Sequence, residues 1–341
     1  MNTLIDVSAS GAVRLGPSVV CDGFLRDACV RVQTHVHTDH MDSFDSSKGF
    51  QEVLMSEATH RLLVAERNAD LPYRSNVRAV PHGVPQPADG CSVTMLPTGH
   101  MLGSVQVAVD APQLPRLGYS GDFSWPLEVV NEVDALVLDA TYGSPHDVRE
   151  FTQEECEMRF LELVGGLLRS GPVHVMAHRG TLQRAIQLLN GNVDVPIVAS
   201  RRTSREIQVY RQCGYAIGGV VEEESGEGRF VLRGNRFVRL YGTGDRLPVD
   251  LNRGSSLKLS AFFSRGDDPV TEYSDRSFGV ALSNHADFNG TLEFVKASRA
   301  RYVVTDNTRG GKAVELAMAL WQILAVHAVP SSNFDGLHWG Q

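Results

Sequence analysis

Up to about Thr152 the apolar and β-branched residues fall in short runs broken by tight turns, the pattern of β-strands. Ala28–Val36 reads as a strand that runs into His35-Val36-His37-Thr38-Asp39-His40, so this histidine run starts on a loop leaving a strand. Glu57–Arg67, with apolar positions three and four apart, predicts a short helix. Ser92–Leu96 and Val105–Val109 predict strands on either side of the loop Pro97–Ser104. Arg116–Ser120 leads into Gly121-Asp122, and Ala135–Asp139 is an apolar strand leading into Thr141-Tyr142-Gly143. Beyond Thr152 the texture changes. Helical patterns at Glu154–Leu168, Leu182–Leu189 and Ser204–Cys213 alternate with strand-like runs at Val173–Ala177 and Val195–Ala199. That alternation predicts a parallel-sheet unit placed as an insertion in an α/β chain. Glu222–Arg229 and Gly242–Ser256 read as polar, glycine-bearing loops. Ser277–Leu282, Thr291–Ala297, Tyr302–Thr305 and Lys312–His327 then read as strand, helix, strand, helix.

Composition narrows the class. The chain has 341 residues, 42% of them hydrophobic, enough for one large or two modest cores. No apolar stretch approaches the length of a membrane span, and the N-terminal residues lack the pattern of a signal peptide. The five cysteines are scattered with no C-x-x-C pair, as expected of buried thiols in a reducing cytoplasm. A net charge of −8 argues against a simple electrostatic nucleic-acid binder. It does not exclude a nuclease, because bound divalent ions and local arginines hold phosphate inside an acidic shell.

The densest chemistry is at His35–His40. Three imidazoles and a carboxylate within six residues suit zinc or a similar divalent metal. In an extended segment His35, His37 and Asp39 would share a face, while the adjacent Asp39-His40 pair requires a turn. His100 lies between Gly99 and the small residues Gly103 and Ser104, as in a turn presenting a ligand. Asp122 follows a strand and a glycine, where an ordinary turn or capping aspartate is the competing reading.

In this order, the HxHxDH run, the Gly-His loop and the strand ending in Gly-Asp resemble the metallo-β-lactamase superfamily. Asp139-Ala140-Thr141-Tyr142-Gly143 resembles the acidic-Ser-Thr-Tyr-Gly motif that opens the β-CASP insertion of its nucleic-acid-cleaving branch. Ser283-Asn284-His285-Ala286-Asp287 is similar to that branch's second motif. The resemblance implies an αβ/βα sandwich formed by residues 1–141 and 278–341, with a β-CASP α/β cap at 142–277. It implies that His35, His37 and His100 bind one metal, that Asp39 and His40 bind a second, and that Asp122 bridges the two. Zinc is the expected ion, with manganese as an alternative. A phosphodiester bound across the metals would be attacked by a bridging hydroxide, with His285 assisting the leaving oxygen and Asp139 orienting it.

The third motif of the branch departs from the pattern. Tyr302–Thr305 is followed by Asp306 where a histidine is usual, and Asp306 reads equally as an oxygen ligand to the second metal or as an Asx-turn residue. The rule that separates RNA- from DNA-processing members does not apply here. Compact bacterial exonucleases associated with DNA-repair ligases are broadly similar to the chain, which favours DNA over RNA and suggests protein partners in a repair or processing complex. Arg179 beside Gly180, with Arg201, Arg202, Arg205 and Arg265, are candidate phosphate contacts in the cap. Two other readings stand beside a nuclease: a small-molecule hydrolase such as a thioesterase or lactamase relative, and a catalytically silent scaffold in a nucleic-acid complex.

Overall fold

A computed structural model describes residues 3–67, 70–245, 253–263, 266–333 and 336–338. The chain is mixed α/β and divides into two compact units, one of Met1–Val148 with His285–Gln341 and one of Arg149–Asn284. Among the described residues no helix is long and apolar enough to cross a membrane.

Two seven-stranded sheets build the first unit. One runs Leu337–His338, Thr3–Val7, Val13–Leu15, Val19–Cys21, Val30–Gln33, Glu52–Ser56, Val77–Val80 from edge to edge. The other runs His327–Pro330, Tyr302–Thr305, Ala135–Leu138, Leu117–Tyr119, Val105–Asp110, Cys91–Pro97, Gln86–Ala88. Each sheet is antiparallel over one half and parallel over the other.

Strand alternation decides which core each side chain joins. Ala135, Val137, Val107 and Val304 share a core with Ile5, Leu15, Val30 and Leu54 of the facing sheet. Their neighbours Leu136, Leu138, Ala108 and Val303 point the opposite way, onto Phe294, Val295, Leu316 and Leu320. Those four residues lie on the helices Phe288–Ser298 and Ala313–Leu324. The central strands are therefore buried on both faces and read as continuous apolar runs rather than alternating ones. On the other sheet, the helix Glu57–Arg67 lies against Glu52–Ser56 and Val77–Val80 with Leu62 and Leu63 buried. Each large side chain removed from water in these layers contributes roughly 1.5–3 kcal/mol.

The second unit is a seven-stranded sheet ordered Val221–Glu222, Ile197–Ala199, Val238–Tyr241, Val173–Met176, Ser255–Leu259, Ser277–Val280, Val270–Ser274. All its pairings are parallel except the last, which is a hairpin. The helix Gln153–Leu167 enters through a capping box, in which Thr152 Oγ1 accepts from the Glu155 amide at 3.1 Å and Glu155 Oε2 accepts from the Thr152 amide at 2.7 Å.

Three elements depart from the sequence pattern. A short helix, Gly226–Val231, capped by Ser225, begins inside the segment that reads as a polar loop. The strand Ser255–Leu259 begins within the second such segment. The last helix ends at Leu324 because Ala325 turns left-handed (φ 53°), and His327, expected at its end, opens an edge strand instead.

Candidate metal centre

The polar residues of interest in the first unit sit just past the carboxyl ends of its strands. Asp22 follows Val19–Cys21, His35 follows Val30–Gln33, His100 follows Cys91–Pro97, Asp122 follows Leu117–Tyr119, and Asp139 follows Ala135–Leu138. The turn Thr38–His40, closed by the His40 amide on the His37 carbonyl at 3.1 Å, swings His40 back toward His35. As a result the His35 and His40 rings lie 4.1 Å apart, His35 and His37 4.7 Å, and His37 and His100 4.9 Å between centroids.

Backbone geometry brings the other ligands in. Gly121 has φ 53°, and a Cβ there would stand 2.7 Å from the Val105 carbonyl oxygen, so only glycine lets Asp122 approach the cluster this way. Gly103 closes the His100 loop at φ 82°, its carbonyl accepting from Ser56 Oγ at 2.7 Å and Thr59 Oγ1 at 2.9 Å. Asp122 Oδ2 lies 3.5 Å from His35 Nε2 and 3.4 Å from His100 Nε2, and its Oδ1 lies 3.2 Å from His40 Nε2. His100 Nε2 is 3.2 Å from His37 Nδ1.

Two groups of residues thus have ligand atoms within 4.8 Å of one another: His35, His37, His100 and Asp122, and separately Asp22, His35 and His40. The Nε2 atoms of His35, His37 and His40 are buried with no hydrogen-bond partner among the described residues. Buried nitrogens left this way cost free energy, and a divalent cation satisfies such nitrogens together. The residues present fit a metal ion.

Electrostatics reflect the crowding. Burial lowers the His37 pKa well below the usual histidine value, and the neighbouring His35 and His100 rings push it further down. His35 is also lowered, by burial and by His40. Burial acts on His40 in the same direction, yet the Asp122 and Asp22 carboxylates outweigh it and raise His40 to about 10. Against its own burial, Asp122 is held well below the ordinary carboxylate value by His40 and His35.

His285 and Asp139 meet beside this cluster. His285 Nδ1 lies 3.5 Å from Asp139 Oδ2, and His285 Nε2 lies 3.9 Å from Asp122 Oδ2. Asp139 Oδ1 is fixed by the Thr141 amide at 2.9 Å and Thr141 Oγ1 at 2.7 Å. Burial would lower His285, but the hydrogen bond to Asp139 and the charge of Asp122 raise it overall. Asp287 caps the helix Phe288–Ser298, its Oδ1 accepting from the Gly290 amide at 2.8 Å.

The remaining candidates lie elsewhere or differently. Asp39 is more than half exposed, with Oδ2 3.9 Å from His40 Nε2. Asp306 stands outside both ligand groups: its Oδ1 accepts from the Thr308 amide and hydroxyl, and its Oδ2 pairs with Arg309. In the second unit Arg179 is buried and paired with Glu206 at 3.2 Å. Arg201 bonds Glu222, and Arg202 lies near Asp245. Arg265 lies outside the described residues.

Three residues escaped the sequence reading. Asp22, fully buried, accepts His40 Nδ1 at 2.7 Å, the Thr34 amide at 2.8 Å and Thr34 Oγ1 at 2.6 Å. Gln33 Nε2 donates to the carbonyls of His35 and His40 at 2.8 and 2.9 Å. Arg31, fully buried, bonds Gln33 Oε1 and the Asp42 carbonyl. The signal for two of them was present, because Arg31 and Gln33 alternate with His35 on one face of an apolar strand.

No family model matches the chain. It is 32% identical over 123 residues to an uncharacterized protein in the lig 3′ region of Acidianus ambivalens, a match covering 35% of this chain and 86% of that one. It is 25% identical over 307 residues to a probable DNA ligase of Opitutus terrae, covering 84% of this chain. The chain spans only 27% of that ligase's length. A crystal structure of a protein of unknown function from Enterococcus faecalis V583 shares the fold at TM-score 0.54 and 11% identity, over 81% of this chain and 74% of that one.

Proposed function

The chain belongs to the family of the uncharacterized lig 3′-region protein of Acidianus ambivalens, and we propose that it is a metal-dependent nuclease that trims DNA in company with a DNA ligase. The observation that carries this reading is the group of three imidazoles and one carboxylate, in which the Nε2 atoms of His35 and His37 have no hydrogen-bond partner among the described residues, beside His285 and Asp139. Its partner class rests on the probable DNA ligase of Opitutus terrae, in which the matching segment is part of a longer chain. The resemblance of its motifs to the β-CASP nucleases of the metallo-β-lactamase superfamily supports the same reaction, and exonucleolytic trimming in DNA repair.

His35, His37, His100 and Asp122 would hold the first ion, and the motif resemblance gives a second to Asp39, His40 and Asp122; these donors suit zinc, with manganese as the alternative. A bound divalent ion supplies a water of lowered pKa and a counter-charge for the scissile phosphate. The chain's own residues do the rest. Asp22 holds the Nδ1 face of His40 and so directs its Nε2 toward Asp122, the carboxylate–histidine arrangement that orients a metal ligand. Asp139 faces the Nδ1 side of His285 at 3.5 Å and stabilises the doubly protonated ring, from which Nε2 would deliver a proton to the departing oxygen. The hydrogen bond to Asp139 and the charge of Asp122 raise the His285 pKa, which favours that protonated form.

Purified protein loaded with Zn²⁺ or Mn²⁺ and incubated with end-labelled single- and double-stranded DNA and RNA tests the proposal. Progressive loss of DNA ends, abolished by His285→Ala with metal content unchanged, is the expected result. Intact nucleic acid of every kind in metal-replete protein would sink it.

A further inference from the structure

We propose that Arg31, buried beneath the histidine run, is a positioning residue for the metal ligands: its guanidinium fixes the Gln33 amide, and the two together hold the loop His35–Asp42 in the shape that gathers the imidazoles. This role rests on the metal reading above and concerns how the ligands are held.

Val30–Gln33 is an interior strand, paired in parallel with Val19–Cys21 and Glu52–Ser56, and its four residues are all buried. Val30 and Val32 join the apolar core on one face. Arg31 and Gln33 point to the other, where both are 0% exposed. Burying a guanidinium and an amide costs free energy unless their donors are used, and an apolar pair of similar shape would avoid that cost.

The donors converge on the histidine loop. Arg31 Nη1 donates to the Asp42 carbonyl at 2.9 Å, and Nη2 donates to the His40 carbonyl at 3.3 Å. Nη2 and Nε also reach Gln33 Oε1, at 2.8 and 3.2 Å. That two-nitrogen grip decides which way the amide faces, because the flipped amide would set N–H groups against the guanidinium. Gln33 Nε2 is thereby turned toward the loop, donating to the His35 and His40 carbonyls at 2.8 and 2.9 Å and to Asp22 Oδ1 at 3.3 Å. Asp22 in turn bonds His40 Nδ1 at 2.7 Å.

The stretch after the turn is held by the same cation. Arg31 Nη1 lies 3.4 Å from Ser47 Oγ, and the guanidinium carbon stands 5.1 Å from the centroid of the buried Phe44 ring. The acceptors of Arg31 are all neutral. Its charge alone therefore opposes a cation bound to this loop, whereas its hydrogen bonds favour one by keeping the ligands in place. The two effects have opposite signs.

Metal-free protein titrated with Zn²⁺ by calorimetry, with thermal melts of the same samples, tests the role. Arg31→Met is expected to weaken Zn²⁺ binding about 10- to 100-fold, although it removes a cation. Arg31→Lys keeps the charge, but one ammonium cannot bridge Gln33 and both carbonyls, so binding is expected to weaken here too. Gln33→Met should match Arg31→Met, and the double variant should bind no worse than either, because the two act along one path. Unchanged affinity in Arg31→Met, with only a lower melting temperature, would make Arg31 a purely structural residue and overturn the role. Tighter binding in Arg31→Met would overturn it as well, since only the charge would then be felt. Additive losses in the double variant would contradict the path through the amide. Wild type that holds no zinc would remove the metal reading and this role with it. Should Arg31→Met not fold, judged by its thermal transition, Arg31→Lys and Gln33→Met decide.

Discussion

Each unit carries a buried polar cluster just past the ends of its strands, and the two are finished in opposite ways. In the second unit Arg179 Nε meets Glu206 Oε1 at 3.2 Å, Gln183 Nε2 donates to Glu206 Oε2 at 2.7 Å, and the Gly180 amide donates to Gln183 Oε1 at 2.7 Å. The members of that cluster are bonded to one another. In the first unit the orienting side is as complete, with Asp22, Gln33 and Arg31 bonded around the histidine loop, but the Nε2 atoms of His35, His37 and His40 are left open. A closed cluster secures a fold, whereas an open one built on a rigid frame presents donors to a ligand.

Substitutions separate the two most sharply where they act in opposite directions. His100→Ala is expected to lower metal affinity by more than about a hundredfold and to abolish hydrolysis. The melting temperature of the metal-free protein should hardly fall, and calorimetry on protein stripped with a chelator checks this. Glu206→Ala should do the reverse. It removes the carboxylate that faces a buried guanidinium and is expected to cost about 3–5 kcal/mol by urea unfolding, with bound metal unchanged in the fraction that remains folded.

Asp22→Asn gives a smaller effect on both counts, because the residue belongs to the frame of the open cluster. Metal affinity should drop about 10- to 100-fold. The pH dependence of the metal-free protein carries a second mark. His40 titrates near 10 rather than 6.5, so the stability it contributes is complete below pH 6.5 and is lost as pH rises toward 10. Asp22 is held below its usual value of 3.8, so its contribution is present above that and is lost in acid. Asp22→Asn should flatten both limbs, as thermal melts between pH 3 and about 10.5 would record.

The smallest expected change is kinetic. Asp139 raises the pKa of His285, so Asp139→Asn should move the alkaline limb of the pH–rate profile to lower pH. The general acid would then lose its proton earlier as pH rises. An unmoved limb would mean that His285 does not supply the proton.

The histidine run, His100 and Asp122 were legible in the chain because each is a ligand-type residue beside a strand end or a glycine turn. Asp22 was not legible. In Cys21-Asp22-Gly23 it looks like any turn aspartate, and its role appears only when Val19–Cys21 pairs in parallel with Val30–Gln33 and sets it beside His40. Asp306 left a ligand and a turn residue equally open; in the structure its Oδ1 accepts from Thr308 and its Oδ2 pairs with Arg309, three residues on and bonded to the Gly11 carbonyl. The strands were read well where both faces are apolar. The helix Gly226–Val231 was missed because two glycines in six residues conceal a helix that depends on its Ser225 cap.

X-ray absorption at the zinc edge of the loaded protein tests the central claim most directly. The account predicts a first shell of nitrogen and oxygen at about 2.0–2.1 Å, dominated by imidazole and diminished in His100→Ala. A sulfur shell near about 2.3 Å would put the ion on the cysteines, and zinc that washes out of wild-type protein would leave the open nitrogens without a ligand; either result would contradict it.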